Sequence, residues 1–137
     1  MKIIVDSSVI VSAIRPDQAF HTASLEFLNL IRERGDEVWV PMTMLWEIGS
    51  ALSHPGKAPA GTKFNKTFDI NLRYIVIDEG LFQRTWTGNT RVPMKAADWI
   101  FVSCALDQHA PLVSWDDNLV RNASKCGIVA TKPSEYR

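Results

Sequence analysis

Lys2-Ile3-Ile4-Val5 opens the chain as a nearly unbroken apolar run with three consecutive β-branched residues, the pattern of a short buried strand, and Asp6 closes it. Ser7 or Ser8 can cap a helix through Ile14, which Arg15-Pro16-Asp17 breaks. From about Gln18 to Arg34, the apolar positions Ala19, Phe20, Ala23, Phe27, Leu28, Leu30 and Ile31 share one broad helical face, and Gly35 stops the helix. Glu37-Val38-Trp39-Val40 reads as a second strand ended by Pro41, and Thr43 is placed to cap a helix over Met44–Leu52 that carries Glu47. Ser53 to Thr62 is a loop rich in proline and glycine, and Lys63 to Leu72 is ambiguous, with a short helix as one reading. Tyr74–Ile77 predicts a third strand, Glu79–Trp86 a helix, Thr87–Pro93 a loop and Met94–Leu106 a helix with Asp98 in its first turns. Leu112-Val113-Ser114 is a fourth strand running into Trp115, Asp116 and Asp117. Asp117–Lys125 is a helix, and Gly127-Ile128-Val129 predicts a final edge strand before the polar tail Thr131–Arg137.

Strands alternating with helices imply parallel pairing through right-handed crossovers, with helices covering both faces of the sheet. The expected fold class is therefore α/β: a three-layer α/β/α sandwich on a mostly parallel sheet of four to five strands. At 137 residues the chain fits a single domain over 1–137. An apolar fraction of 46% and a charged fraction of 22% place it among soluble globular proteins. No segment approaches the roughly 18 uninterrupted apolar residues of a membrane span. Met1-Lys2 leads directly into the first strand, so no signal peptide is expected before it. Cys104 and Cys126 form no CxxC pair and sit among apolar neighbours, as reduced core residues of a cytoplasmic protein do.

Fifteen basic and fifteen acidic residues cancel, so the overall field gives no argument for a polyanionic partner. The local balance differs. Lys57, Lys63, Lys66 and Arg73 surround one acid, Asp69, and Arg84, Arg91 and Lys95 surround none. Lys57, Lys63, Lys66, Arg91 and Lys95 are accordingly candidates for phosphate contacts, with solvated loops as the plain alternative.

Four acids carry the chemical interest. Asp6 and Asp116 each follow an apolar strand, where an open α/β sheet collects its ligands, and they lie side by side if the first and fourth strands are neighbours. Glu47, between Trp46 and Ile48, and Asp98, within Ala96-Ala97-Asp98-Trp99-Ile100-Phe101-Val102, sit in apolar helices where a lone carboxylate needs a partner. Each has a structural reading as well: Asp98 facing a helix dipole, Asp116 or Asp117 as an N-cap, Glu47 at a polar edge. Taken together they form an oxygen-only set suited to Mg²⁺ or Mn²⁺ rather than zinc. Such a set can hold one ion, or a pair about 3.5–4 Å apart, and support phosphodiester hydrolysis by activated water. Ser8 and Ser114 are placed to orient a carboxylate or a metal-bound water, while His21, His54 and His109 make poor general bases by position.

Val5-Asp6-Ser7-Ser8-Val9-Ile10, Trp46-Glu47-Ile48, Ala97-Asp98-Trp99-Ile100 and Leu112-Val113-Ser114-Trp115-Asp116, in that order and spacing, resemble the PIN domain, most closely the VapC-type toxin ribonucleases. Gly127-Ile128-Val129 and the tail Lys132-Pro133-Ser134-Glu135-Tyr136 are similar to the family's closing strand and tail, so the resemblance covers nearly the whole chain. It implies a Mg²⁺- or Mn²⁺-dependent endoribonuclease with Asp6, Glu47, Asp98 and Asp116 at the family's acidic, catalytic and metal-binding positions. It also places Ser8 and Ser114 at its small polar positions, with Asp117 as a secondary candidate. It further implies an RNA substrate, a cognate antitoxin covering the active-site groove and a homodimer. The segment Ser53–Asp69 departs from the family pattern by its length and basic character.

Competing readings fare less well. A haloacid-dehalogenase-type phosphatase needs a second Asp two residues after the first, where this chain has Ser8; a receiver domain needs adjacent acids at the first strand, where only Asp6 stands. A domain of this kind that binds RNA or protein without cleaving, and an RNA-processing nuclease acting without an antitoxin, remain as alternatives. Val9, Ile10, Phe20 and Leu25 either form a groove for a partner helix or belong to the core.

Overall fold

The computed structural model describes residues 1–53, 69–86 and 92–137. Strands β1 (Lys2–Val5), β2 (Glu37–Pro41), β3 (Asn71–Ile75), β4 (Leu112–Val113) and β5 (Ala130–Thr131) form one parallel sheet in the order β3-β2-β1-β4-β5. Among the described residues the helices are α1 (Ser7–Ile14), α2 (His21–Arg34), α3 (Met44–Leu52), α4 (Glu79–Thr85), α5 (Ala96–Gln108) and α6 (Asp117–Lys125), followed by a 3₁₀ turn at Pro133–Glu135. No helix among these residues is long and apolar enough to cross a membrane.

The chain winds outward from β1 through β2 to β3, then crosses back to β4 and β5 on the far side of β1. Right-handed crossovers put the helices of these two journeys on opposite faces. In agreement, α1 packs on α2 and α3, while α4 packs on α5, which lies across β1, β2 and β4. A central strand covered on both faces must be apolar throughout, and Ile3, Ile4 and Val5 are fully buried. Around them close Val9 and Ile10 of α1, Phe27, Leu28 and Ile31 of α2, Phe101 and Val102 of α5, and Leu119 and Ala123 of α6. Val9 and Ile10 therefore belong to the core and offer no groove to a partner. Leu25 is half-buried against the same core, and Phe20 alone of that set is exposed.

Several boundaries differ from the sequence expectation. The third strand is Asn71–Ile75 rather than Tyr74–Ile77, because the backbone ladder with β2 sets it, Glu37 opposite Asn71 through Pro41 opposite Ile75. It is an edge strand with Asn71, Arg73 and Tyr74 exposed, so hydropathy marks it poorly. The last strand is Ala130–Thr131, paired with Leu112 and Val113. Gly127, at φ +81°, turns the chain back from α6, Ile128 plugs the core, and Val129 stays exposed. The short helix considered over Lys63–Leu72 falls partly outside the described residues, and its last two positions are strand. The Ser53–Asp69 segment lies outside them except at its ends. Thr43 makes no capping bond to α3; its Oγ1 is buried without a hydrogen-bond partner among the described residues. Cys104 is buried, Cys126 half-buried, and both are free; burial pushes the Cys104 thiol up to about 12, which keeps it unreactive.

Candidate active site

β1 is the point where the winding reverses: its neighbours β2 and β4 belong to opposite halves of the topology. In a parallel sheet such a reversal opens a crevice beyond the carboxyl ends of the strands. Ile4 pairs with Leu112 and Val5 with Val113, so Asp6 and Ser114 emerge side by side at that crevice. The condition on which Asp6 and Asp116 could meet, adjacency of the first and fourth strands, is thus fulfilled.

Asp6 is 7% exposed and does two jobs at once. It is the N-cap of α1, accepting from the Ser8 amide at 3.4 Å. Its Oδ2 also accepts the hydroxyls of Ser8 and Ser114, both at 2.7 Å. Each serine has one hydroxyl proton, and both are spent on Asp6, so the 3.4 Å approach between the two oxygens is packing rather than a further bond. Their lone pairs are used as well: Ser8 Oγ accepts from the Trp115 amide at 3.2 Å and Ser114 Oγ from the Asp116 amide at 3.0 Å. These bonds tie the end of β1 to the turn after β4. Trp115 anchors that turn from its other side, donating Nε1–H to the buried Ser24 Oγ at 2.8 Å and stacking on Phe20 with ring centres 4.2 Å apart.

The remaining acids arrive on helices. Glu47 lies in the first turn of α3 and is half-buried; the Ser7 hydroxyl donates to its Oε2 at 2.6 Å. Asp98 lies in the first turn of α5, beside the exposed Lys95 at its N-cap. Asp116 is exposed and caps α6, its Oδ1 accepting the amides of Asn118 and Leu119 at 2.8 and 3.3 Å. Burial pushes the Glu47 carboxyl up; the Ser7 hydroxyl opposes this, and repulsion from Asp6 and Asp98 adds to it. Burial also raises Asp98, reinforced by Asp116 and Asp6 and opposed by Lys95. The mutual repulsions show that carboxylates from four separate elements share one neighbourhood.

Gathering stops short of a finished cage. Among the described residues, no three Asp, Glu, His or Cys side chains are drawn in to the spacing of metal ligands. The donors nevertheless suit a hard divalent cation. Asp6 Oδ2 is saturated by hydroxyls, whereas among the described residues the only donor near Oδ1 is Ser7 at 3.4 Å, whose proton is already committed to Glu47. An oxygen of a buried carboxylate with no committed donor among the described residues, close to further carboxylates, has the chemistry of an Mg²⁺ or Mn²⁺ ligand.

Asp117 stands apart from this group: its carboxylate pairs with Lys132 at 2.7 Å, which holds it below the usual carboxylate range. Of the basic candidates, Lys95 reaches the site's field through Asp98, while Lys57, Lys63, Lys66 and Arg91 lie outside the described residues. Sequence reasoning gave Ser7 only a capping role, which Asp6 fills instead, and missed its contact with Glu47. Nothing in periodicity signals that contact; adjacency to Asp6 was the one available hint.

The fold recurs in solved structures. The chain is 15% identical to a chain of VapBC2 from Rickettsia felis bound to a DNA fragment from their promoter, over 96% of this chain and 98% of that one, with a TM-score of 0.70. It is 14% identical to a chain of FitAB bound to an IR36 DNA fragment, over 100% and 98%, with a TM-score of 0.66. A domain of a functionally unknown protein from Methanocaldococcus jannaschii is similar at 16% identity over 96% and 89%, with a TM-score of 0.53. Among curated proteins no sequence matches. The PIN domain model matches residues 3–125, a span that takes in all four acids and both strands that set the crevice, and the chain belongs to the PIN domain family.

Proposed function

We propose that this protein is a Mg²⁺- or Mn²⁺-dependent endoribonuclease acting as the toxin of a toxin–antitoxin pair in the cytoplasm. The observation that carries the reading is Asp6, held by two serine hydroxyls with its Oδ1 left no committed donor among the described residues, beside three other carboxylates at the reversal point of the sheet. Carboxylates kept together against their repulsion cost stability, and a protein retains such a cluster for function rather than for folding. PIN domains are generally nucleases, which makes a phosphodiester the fitting substrate.

In this reading Asp6 and Asp116 would be direct ligands, and Glu47 and Asp98 would ligate directly or through water. A bound divalent cation supplies an activated water and neutralises charge on the scissile phosphate. Ser8 and Ser114 fix the Asp6 carboxylate, and the Asn118 and Leu119 amides fix that of Asp116. Lys95, exposed beside Asp98, is the described cation best placed to meet a backbone phosphate.

An antitoxin and a homodimer are proposed as partners by analogy with the family. Met42, Leu45 and Trp46 are exposed at the start of α3 beside Glu47 and offer a partner an apolar landing at the mouth of the site. The test is cleavage of structured RNA with Mg²⁺ by the wild type and by Asp6→Asn. Cutting by the wild type alone is expected; equal cutting by both would remove the activity from this site, and binding without cutting by either would favour a non-catalytic RNA-binding domain.

A further inference from the structure

Each acid of the cluster is held differently. Asp6 leans on Ser8 and Ser114, and Asp116 on the amides of its own helix. Asp98 has a short side chain on the first turn of α5. Glu47 is the longest of the four and loses the most rotamer freedom when fixed. Among the described residues, the hydrogen bond that restrains its carboxylate comes from the Ser7 hydroxyl at 2.6 Å, within the range of a charge-assisted O–H···O⁻ bond.

Ser7 occupies the first helical position of α1, directly after Asp6. Its single proton has two acceptors in view, Glu47 Oε2 at 2.6 Å and Asp6 Oδ1 at 3.4 Å, and the shorter bond takes it. Two results follow. Glu47, which repulsion from Asp6 and Asp98 would drive outward, is tied to the rigid start of α1. Asp6 Oδ1, meanwhile, keeps its lone pairs.

The geometry points to Ser7 as a positioning residue for the metal site, holding the Glu47 carboxylate inward and leaving Asp6 Oδ1 free to ligate; this rests on the metal-dependent reading above. Its hydroxyl helps ion binding through Glu47; with Glu47 absent its proton can turn, among the described residues, only to Asp6 Oδ1, so removing it then costs the ion nothing.

The test is calorimetric titration of Mn²⁺ into the purified protein without RNA, comparing wild type, Ser7→Ala, Ser7→Thr, Glu47→Ala and the Ser7→Ala/Glu47→Ala double variant. Alanine suits a first helical turn, so Ser7→Ala keeps the fold, and thermal melts verify this. Loss of an outer-shell partner weakens metal affinity by about 10–100-fold. We expect Ser7→Ala to fall at the lower end of that range, Ser7→Thr to bind within about twofold of wild type, and Ser7→Ala to add nothing in the Glu47→Ala background. If Glu47→Ala weakens Mn²⁺ binding and Ser7→Ala does not, or if Ser7→Ala costs as much with Glu47 absent as with it present, the role assigned to Ser7 is wrong while the metal site stands. If the wild type takes up no Mn²⁺, the metal reading falls and Ser7's role with it.

Discussion

Ser114→Ala probes the tie between the two central strands. Ser114 is fully buried; its Oγ donates to the Asp6 carboxylate at 2.7 Å and accepts from the Asp116 amide at 3.0 Å. A hydrogen bond to a charged group contributes about 1.5–3 kcal/mol, and the neutral amide bond less, because Asp116 is exposed and water can replace the lost acceptor. The truncation should therefore cost about 2–3 kcal/mol. With an unfolding entropy of about 2 cal/mol/K per residue, a chain of 137 residues loses about 7–10 °C of Tm at that cost. The assay is thermal unfolding followed by circular dichroism in chelator, with the same substitution made in an Asp6→Ala background. There the charged partner is gone, and most of the loss should vanish. A drop below about 3 °C by the same conversion, or an equal drop in both backgrounds, would show that Ser114 does not hold Asp6 as described.

Asp98→Asn and Glu47→Gln should abolish RNA cleavage yet leave Tm unchanged or higher, because each removes a charge that burial and neighbouring carboxylates disfavour; a clear loss of Tm would contradict the repulsion. The sign with pH follows: both groups titrate above their ordinary range when folded, so the native state holds protons that the unfolded chain has released. Metal-free wild type should lose stability as pH rises from the normal carboxylate pKa through the raised ones and stay lowered above, with a shallower loss in Asp98→Asn melts. Adding Mn²⁺ should raise Tm, by about 2.7 kcal/mol of stability at a hundredfold excess over Kd, and Asp6→Ala should erase that gain in the same melts. Lys132→Ala breaks a solvent-exposed pair with Asp117 and should leave both Tm and cleavage rates nearly unchanged; a large rate loss would return Asp117 to the site.

Elements whose side chains carry the folding signal were legible in the sequence. β1 and α3 are apolar where they are buried, and α2 ends at a glycine with φ +69° as its stop signal implies. Elements defined by backbone pairing were not. β3 and β5 are short or exposed edge strands whose limits come from the register of β2 and β4, and the more apolar residues beside them, Val76 and Val129, are exposed. For the site, the strand-end acids stood out by position, but their adjacency depends on a strand order that no local pattern encodes. Thr43 resembles a cap and is not one, while Asp6, an acid placed for chemistry, also supplies the cap expected of Ser7 or Ser8.

The contact between Asp6 and Ser114 joins positions 108 apart in the chain, and that between Ser8 and Trp115 joins positions 107 apart. During synthesis one side of the crevice therefore emerges 108 residues ahead of the other. Until β4 slots in beside β1, Asp6 lacks the Ser114 hydroxyl that fixes it from across the sheet. A chain that stops short of β4 lacks both the Ser114 bond to Asp6 and the Asp116 carboxylate, so the four-acid neighbourhood is completed only by strand pairing across the sheet.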